Sequence, residues 1–274
     1  MWSAMFGDRE RWICEKGKFV RLSGRVAVVT GAARGIGAAE AIRLAQEGAN
    51  VAVLDLSAEA SRETVEAVEA AGAEGLAVAC DVSSAHQVEA AFEEIANRFG
   101  RIDILINNAG VLRDNLAFKM SEEDWDTVLD IHLKGSFLCS KAAQKYMVEQ
   151  EYGKIVMTSS IVALGNRGQA NYSSAKAGLQ ALARTLALEL GRFNINVNAV
   201  APGWIETEMT REAAERVGMT MEEMKDRFAK NIPLKRFGRV EDIANVVAFL
   251  VSDEASYISG ETIYVAGGPS SSVI

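Results

Sequence analysis

The chain has 274 residues, 49% of them apolar and 24% charged, with a net charge of −8, which suits one large globular domain with a sizeable core. The acidic balance argues against a nucleic-acid surface and against adhesion to anionic lipid. No apolar run approaches the roughly 18 residues of a membrane span, and Cys14, Cys80 and Cys139 are too few and scattered for a metal site, which fits a reducing cytoplasm.

Residues 1–22 read as an appendage, because their scattered charges leave no apolar stretch of the kind a secretory signal needs. From Arg25 onward, short Val- and Ile-rich runs predict seven strands at 26–30, 51–55, 76–80, 102–106, 154–158, 195–200 and 262–266. Mostly continuous apolar runs, rather than alternating ones, mark strands buried on both faces of a parallel sheet. Helical patterns fill the gaps at 36–47, 58–71, 85–99, 121–149, 171–190 and 240–252. Strands alternating with helices predict a single doubly wound α/β domain over 23–274, with helices on both faces of the sheet. The one long irregular stretch, about 204–239, carries Met209, Met219, Met221, Met224 and Phe228. It reads as a substrate lid, whose apolar side chains either wall an acyl site or pack the lid to the core.

The first strand runs into TGAARGIG (30–37) and then a helix. Gly31, Gly35 and Gly37 permit a tight turn that brings the backbone up to a pyrophosphate at a helix N-terminus. Asp55, 18 positions past Gly37 at the end of the next strand, is placed to bind the hydroxyls of an adenosine ribose; its other reading is a solvated loop acid. Further on, Tyr172 and Lys176 lie one helical turn apart among small residues. A phenol beside an ammonium is a candidate acid/base, since the cation favours phenolate. His86, at a helix start, carries no functional weight.

Taken together, TGAARGIG, NNAG (107–110), Ser159 thirteen residues before Tyr172 in YSSAK, and Pro202-Gly203 occur in the order of the short-chain dehydrogenase/reductase family. The chain resembles that family over residues 23–268. Through NNAGVLRDN, HLKGSF and GNRGQANYS it looks most like bacterial 3-oxoacyl-acyl-carrier-protein reductases and 3-hydroxyacyl-CoA dehydrogenase domains.

The resemblance implies a Rossmann fold and an NAD(P)-dependent oxidoreductase. Cofactor contacts would come from Gly31, Arg34, Gly35, Ile36, Gly37 and Asp55, from Asp81 and Val82 at the adenine, and from Asn107, Ala109 and Gly110 in the cleft. Pro202, Gly203, Ile205 and Thr207 would bracket the nicotinamide. Tyr172 would be the acid/base, Lys176 would lower its pKa and bind the nicotinamide ribose, and Ser159 would steady the carbonyl oxygen, leaving Ser160 a structural part. NAD(H) is expected over NADP(H), because Asp55 would face the 2′-phosphate and no base follows at 56 or 57; Arg34 pulls the other way.

His132 departs from the family's pattern, which places an asparagine there. It is either a neutral proton relay near Lys176, charging near pH 6.5, or a packed helix residue. The implied substrate is an acyl thioester, with acyl carrier protein a possible partner and a homotetramer expected through helices exposing Ala177, Leu179 and Ala181. Alternatives are a dehydrogenase of another secondary alcohol (steroid, sugar or cyclic alcohol) and, in a different class, a dinucleotide-binding sensor or scaffold.

Overall fold

The computed structural model describes residues 13–15, 18–216 and 218–269, so most of the expected appendage lies outside the described residues. Its inner end forms a small antiparallel pair, β1 (Ile13–Glu15) and β2 (Lys18–Val20). Arg21 then pairs with Glu47 at 2.6 Å, and Leu22 is buried in the core.

Seven strands pair in parallel: β3 (Val26–Thr30), β4 (Asn50–Asp55), β5 (Gly75–Ala79), β6 (Ile104–Asn107), β7 (Gly153–Thr158), β8 (Ile195–Pro202) and β9 (Thr262–Val265). Their order across the sheet is β5-β4-β3-β6-β7-β8-β9. The chain reverses its direction of travel between β3 and β6, and at such a switch point the strand ends diverge into a crevice.

Successive side chains leave a strand on opposite faces. Val26 and Val28 of β3, Leu105 of β6, and Ile155 and Met157 of β7 pack against α3 (Ala85–Phe99), α5 (Gly135–Glu149) and α6 (Ala170–Leu190). Ala27, Val29, Ile104, Ile106 and Val156 point the other way, onto α1 (Gly35–Gln46), α2 (Arg62–Ala70) and α9 (Val240–Leu250). Both faces are covered, so the strands read as continuous apolar runs, each buried Val, Leu or Ile contributing about 1.5–3 kcal/mol.

Three expectations are corrected. The single helix expected over 121–149 is α4 (Glu122–Leu129), a π-helical turn at Asp130–Lys134, and α5. The wider turn adds a residue to the helical repeat and turns His132 inward, where it is buried. The stretch expected to be irregular holds α7 (Glu208–Arg216) and α8 (Met221–Phe228), the latter started by a capping box between Thr220 and Glu223. Leu179, expected at an exposed interface, is buried against the sheet.

The stretch expected as a lid is held by its own aromatic stack. Trp204 lies between Phe228 and Phe237, at centroid distances of 4.9 and 5.5 Å. Met221 and Met224 are buried in the same cluster. Among the described residues no helix is long and apolar enough to cross a membrane, and no three His, Cys, Asp or Glu side chains gather as a metal site would require.

Candidate active site

The C-terminal ends of β3 to β8 open into a cavity of about 690 Å³. At one end of it the glycine loop is shaped by close backbone approach. Gly31 has φ +63°, and a Cβ there would sit 2.7 Å from the Cα of Ala109. Gly35 also has a positive φ, but a Cβ on it would meet nothing. The N-cap of α1, Arg34, makes no side-chain capping bond, and the first turn carries no acid. Its amides and dipole are thus free for an anion, which fits a pyrophosphate. Gly37 does not line the cavity; it is a packing position, where a Cβ would lie 2.5 Å from the side-chain amide of Asn108.

That amide ties two loops together. Asn108 Nδ2 donates to the carbonyls of Thr30 and Gly31, and Thr30 Oγ1 accepts from the backbone amides of Asn108 and Ala109, all at 3.0 Å. Asn107, expected in the cleft, is corrected here. As the last residue of β6 it turns under the sheet, and its side chain donates to Ser140 Oγ at 3.1 Å. Asn108 lines the cavity in its place, with Ala109 and Gly110. The strand's alternation decides this, and the repeated Asn hid it.

Asp55 ends β4 at the cavity wall. Its Oδ2 accepts from Ala33 N at 3.0 Å and its Oδ1 from Leu56 N at 2.8 Å, which fixes the carboxylate. Arg34 lies at the cavity edge but is paired with Glu208 of α7. Asp81, Val82, Ile36, Pro202, Gly203, Ile205 and Thr207 also line the space. Of the methionines and Phe228 singled out in the 204–239 stretch, only Met209 reaches it; Met221, Met224 and Phe228 pack among themselves and with Trp204.

Tyr172, Lys176, His132, Ser159 and Ser160 come together at the far end. Lys176 is buried, with Nζ 5.4 Å from the Tyr172 ring centroid, and donates to the carbonyl of Thr158 at 2.5 Å. Burial pushes its pKa down to about 7. Tyr172 is pushed up to about 12 by burial, while a hydrogen bond from Ser160 pulls the other way. Burial is the largest influence on the phenol here and works against the lowering expected from Lys176.

The two serines exchange their expected places. Ser159 follows the pleat of β7 toward α6, where its hydroxyl donates to the carbonyl of Lys176 at 2.8 Å and accepts from Gln180 at 3.1 Å. Ser160, extended one residue beyond, presents its hydroxyl to Tyr172. Counting thirteen residues back from Tyr172 finds the strand end but not the direction in which a side chain leaves it.

His132 stands edge-on to Tyr172, with ring centroids 5.2 Å apart. Its Nε2 lies 3.0 Å from the amide nitrogen of Val111 and 2.9 Å from that residue's carbonyl oxygen. Burial, and then the nearby Lys176, push its pKa down to about 3. It therefore stays neutral where a charge near pH 6.5 was expected. Protons favour the unfolded chain here, so stability falls as pH drops from about 6.5 toward 3.

A switch-point crevice with a glycine loop, an acid at the end of β4 and a Tyr–Lys pair is the architecture of a dinucleotide-dependent oxidoreductase. The chain belongs to the short-chain dehydrogenase/reductase family: a profile described as enoyl-(acyl carrier protein) reductase matches residues 31–270. It is 47% identical over 244 residues to the 3-oxoacyl-(acyl-carrier-protein) reductase FabG of Staphylococcus aureus, covering 88% of this chain and 96% of that one. It is 45% identical over 243 residues to the short-chain reductase protein NovJ of Streptomyces niveus, covering 89% and 93%. Among solved structures, levodione reductase superposes with a TM-score of 0.88 at 38% identity, covering 92% of this chain and 99% of that one. NAD+-bound xylitol dehydrogenase does so with 0.85 at 34%, covering 90% and 100%.

The imidazole and the glycine beside it make a first test. A Cβ on Gly110 would lie 2.2 Å from His132 Cε1. Gly110→Ala is expected to lower stability by about 1–3 kcal/mol, as overpacking does. In the double variant with His132→Ala most of that loss should vanish. Thermal unfolding of the two single variants and the double decides; equal losses in both backgrounds would mean that the ring does not set the glycine requirement.

Proposed function

We propose that the protein reduces the ketone of a 3-oxoacyl thioester to a secondary alcohol, with NADH as the preferred donor. The observation that carries this reading is Tyr172, a phenol that keeps its proton at neutral pH, set between the hydroxyl of Ser160 and the buried ammonium of Lys176. A nicotinamide dinucleotide, held by the glycine loop, Asp55 and Lys176, would supply the hydride. The phenol then delivers a proton to the carbonyl oxygen, and Ser160 steadies the charge that develops there. In its cationic form Lys176 makes the phenol easier to ionise as that proton leaves. Ser160 takes the role that the sequence suggested for Ser159.

Preference for NADH rests on the pinned carboxylate of Asp55, which would meet a 2′-phosphate as a like charge, and on Arg34 being occupied by Glu208. Selection of an acyl thioester is supported by an apolar wall of Val111, Leu112 and Met209, with Arg113 and Arg216 lining the same cavity. Those two cations suit the phosphate of a carrier arm, and the FabG relatives by name act on acyl carrier protein substrates. The exposed Phe137, Leu188 and Tyr257 supply apolar contact for the homotetramer of this reading.

Consumption of reduced cofactor, followed by absorbance against 3-oxoacyl thioesters and simple cyclic ketones, tests the substrate. Faster turnover of the thioesters is expected; turnover of the ketones alone would move the protein to another branch of the family. Tyr172→Phe should lower kcat on the order of 10²- to 10⁴-fold while leaving cofactor affinity near wild type. A variant retaining more than about a tenth of the rate would need another proton donor. Asp55→Ala should cut the NADH/NADPH ratio of kcat/KM by roughly tenfold or more, the removal of a close like charge. An unchanged ratio would locate cofactor selection elsewhere.

A further inference from the structure

The pair of Arg34 and Glu208 bridges two elements across the cavity rim. Arg34 is the N-cap of α1 at the end of the glycine loop, and Glu208 is the first residue of α7. Both line the cavity, and their side chains are 71% and 51% exposed. Exposed pairs contribute little to stability, so holding the fold together is a weak account of this one.

Its place in the cavity says more. Asp55 accepts a hydrogen bond from the amide of Ala33, the residue just before Arg34. The acid expected to hold the adenosine ribose thus stands at the same corner as the start of the Arg34 side chain. The other cations lining the cavity, among the described residues, are engaged elsewhere. Lys176 donates to the carbonyl of Thr158, Arg113 lies 3.9 Å from Asp124, and Arg216 acts on Asp114. Of the bases on the flanking helices, Arg43 of α1 is bonded to Glu47 and Asn245, and Arg62 of α2 to Glu59. Arg34 is therefore the cation that this corner has to offer.

Glu208 meets it from a fixed helix start. Thr207 Oγ1 accepts from the amide of Thr210 at 3.2 Å, and Thr210 Oγ1 donates to the carbonyl of Ile205 at 2.7 Å. The amide of Glu206 donates to the carbonyl of Gly238 at 2.9 Å. These bonds hold the segment that presents the carboxylate to Arg34.

We propose that Glu208 is a specificity-determining residue for the dinucleotide: by occupying the Arg34 guanidinium, it withholds that cation from the 2′-phosphate of NADPH. A guanidinium matches a phosphate with two parallel N–H donors, so Arg34 released from Glu208 is a phosphate ligand. The two acids at this corner then do different things. Asp55 opposes a 2′-phosphate as a like charge, and Glu208 removes the charge that would compensate. This deepens, and rests on, the reading that the cavity takes NADH in preference to NADPH.

The test is equilibrium binding of NADH and of NADPH to cofactor-free protein, followed by nicotinamide fluorescence with no substrate present. Glu208→Gln keeps the shape and loses the charge. It should tighten NADPH about fivefold, the upper range for releasing an exposed pair, and leave NADH nearly unchanged. The gain should shrink at high salt. In the Arg34→Ala background it should vanish, because no guanidinium is left to release. Glu212→Gln removes the same charge one turn further along the cavity face of α7 and should move neither affinity. As competitors, 2′,5′-ADP should gain in proportion with NADPH, and 5′-AMP should not.

An NADPH affinity unmoved in Glu208→Gln would overturn the proposal. So would an equal gain in Glu212→Gln or in the Arg34→Ala background, and Glu208 would then be an acid placed to suit the N-terminal dipole of α7. Binding does not depend on turnover. If Glu208→Gln tightens NADPH while 3-oxoacyl thioesters are not reduced, the assignment stands and the substrate reading fails. If it does so while Asp55→Ala leaves the cofactor ratio untouched, selection lies with Arg34 and the role given to Asp55 fails.

Discussion

A lysine ammonium buried at the end of a β-strand is the constraint on which the rest of this site depends. Lys176 gives one hydrogen to the carbonyl of Thr158 and lies almost wholly out of water. Burial costs a cation several kcal/mol unless partners offset it. Around this charge the protein places a phenol and an uncharged imidazole, drawn from α6 and the π-helical turn. Each of those groups has its pKa displaced by burial, and Tyr172, His132 and Lys176 line the cleft, the pattern of a candidate acid/base site.

The parallel sheet makes this meeting possible. Its strands end together, and its switch point leaves a crevice into which α6 and α1 reach from opposite faces. The clasp of Thr30, Gly31 and Asn108 then locks the glycine loop to the loop after β6. The start of α1 and the Tyr172–Lys176 pair are thereby held in one frame, an arrangement that would limit the reorganisation needed for transfer. The stretch 204–239 is fastened separately, through the stacking of Trp204 with Phe228 and Phe237 and through the Arg34–Glu208 pair across the cavity rim.

Much of this is legible in the sequence, for local reasons. The strands announce themselves because both faces of the sheet are covered. The glycine loop, Asp55, Tyr172 and Lys176 are legible because their spacings follow from a turn or a single helical repeat. What stays hidden depends on the direction in which a side chain points. Ser159 and Ser160 are neighbours of the same type, as are Asn107 and Asn108, and only the pleat sorts them. His132 reads as titratable near neutrality until burial beside a cation is seen. The π-helical turn also escapes, because a widened turn leaves the apolar periodicity on either side intact.

The central claim is that the hydroxyl working with Tyr172 belongs to Ser160. Its most direct test is kcat/KM for ketone reduction in Ser160→Ala and Ser159→Ala, measured side by side. The account predicts a loss on the order of 10²-fold or more for Ser160→Ala, as for other oxyanion donors, and a much smaller loss for Ser159→Ala. The reverse ranking would contradict it and return the role to Ser159.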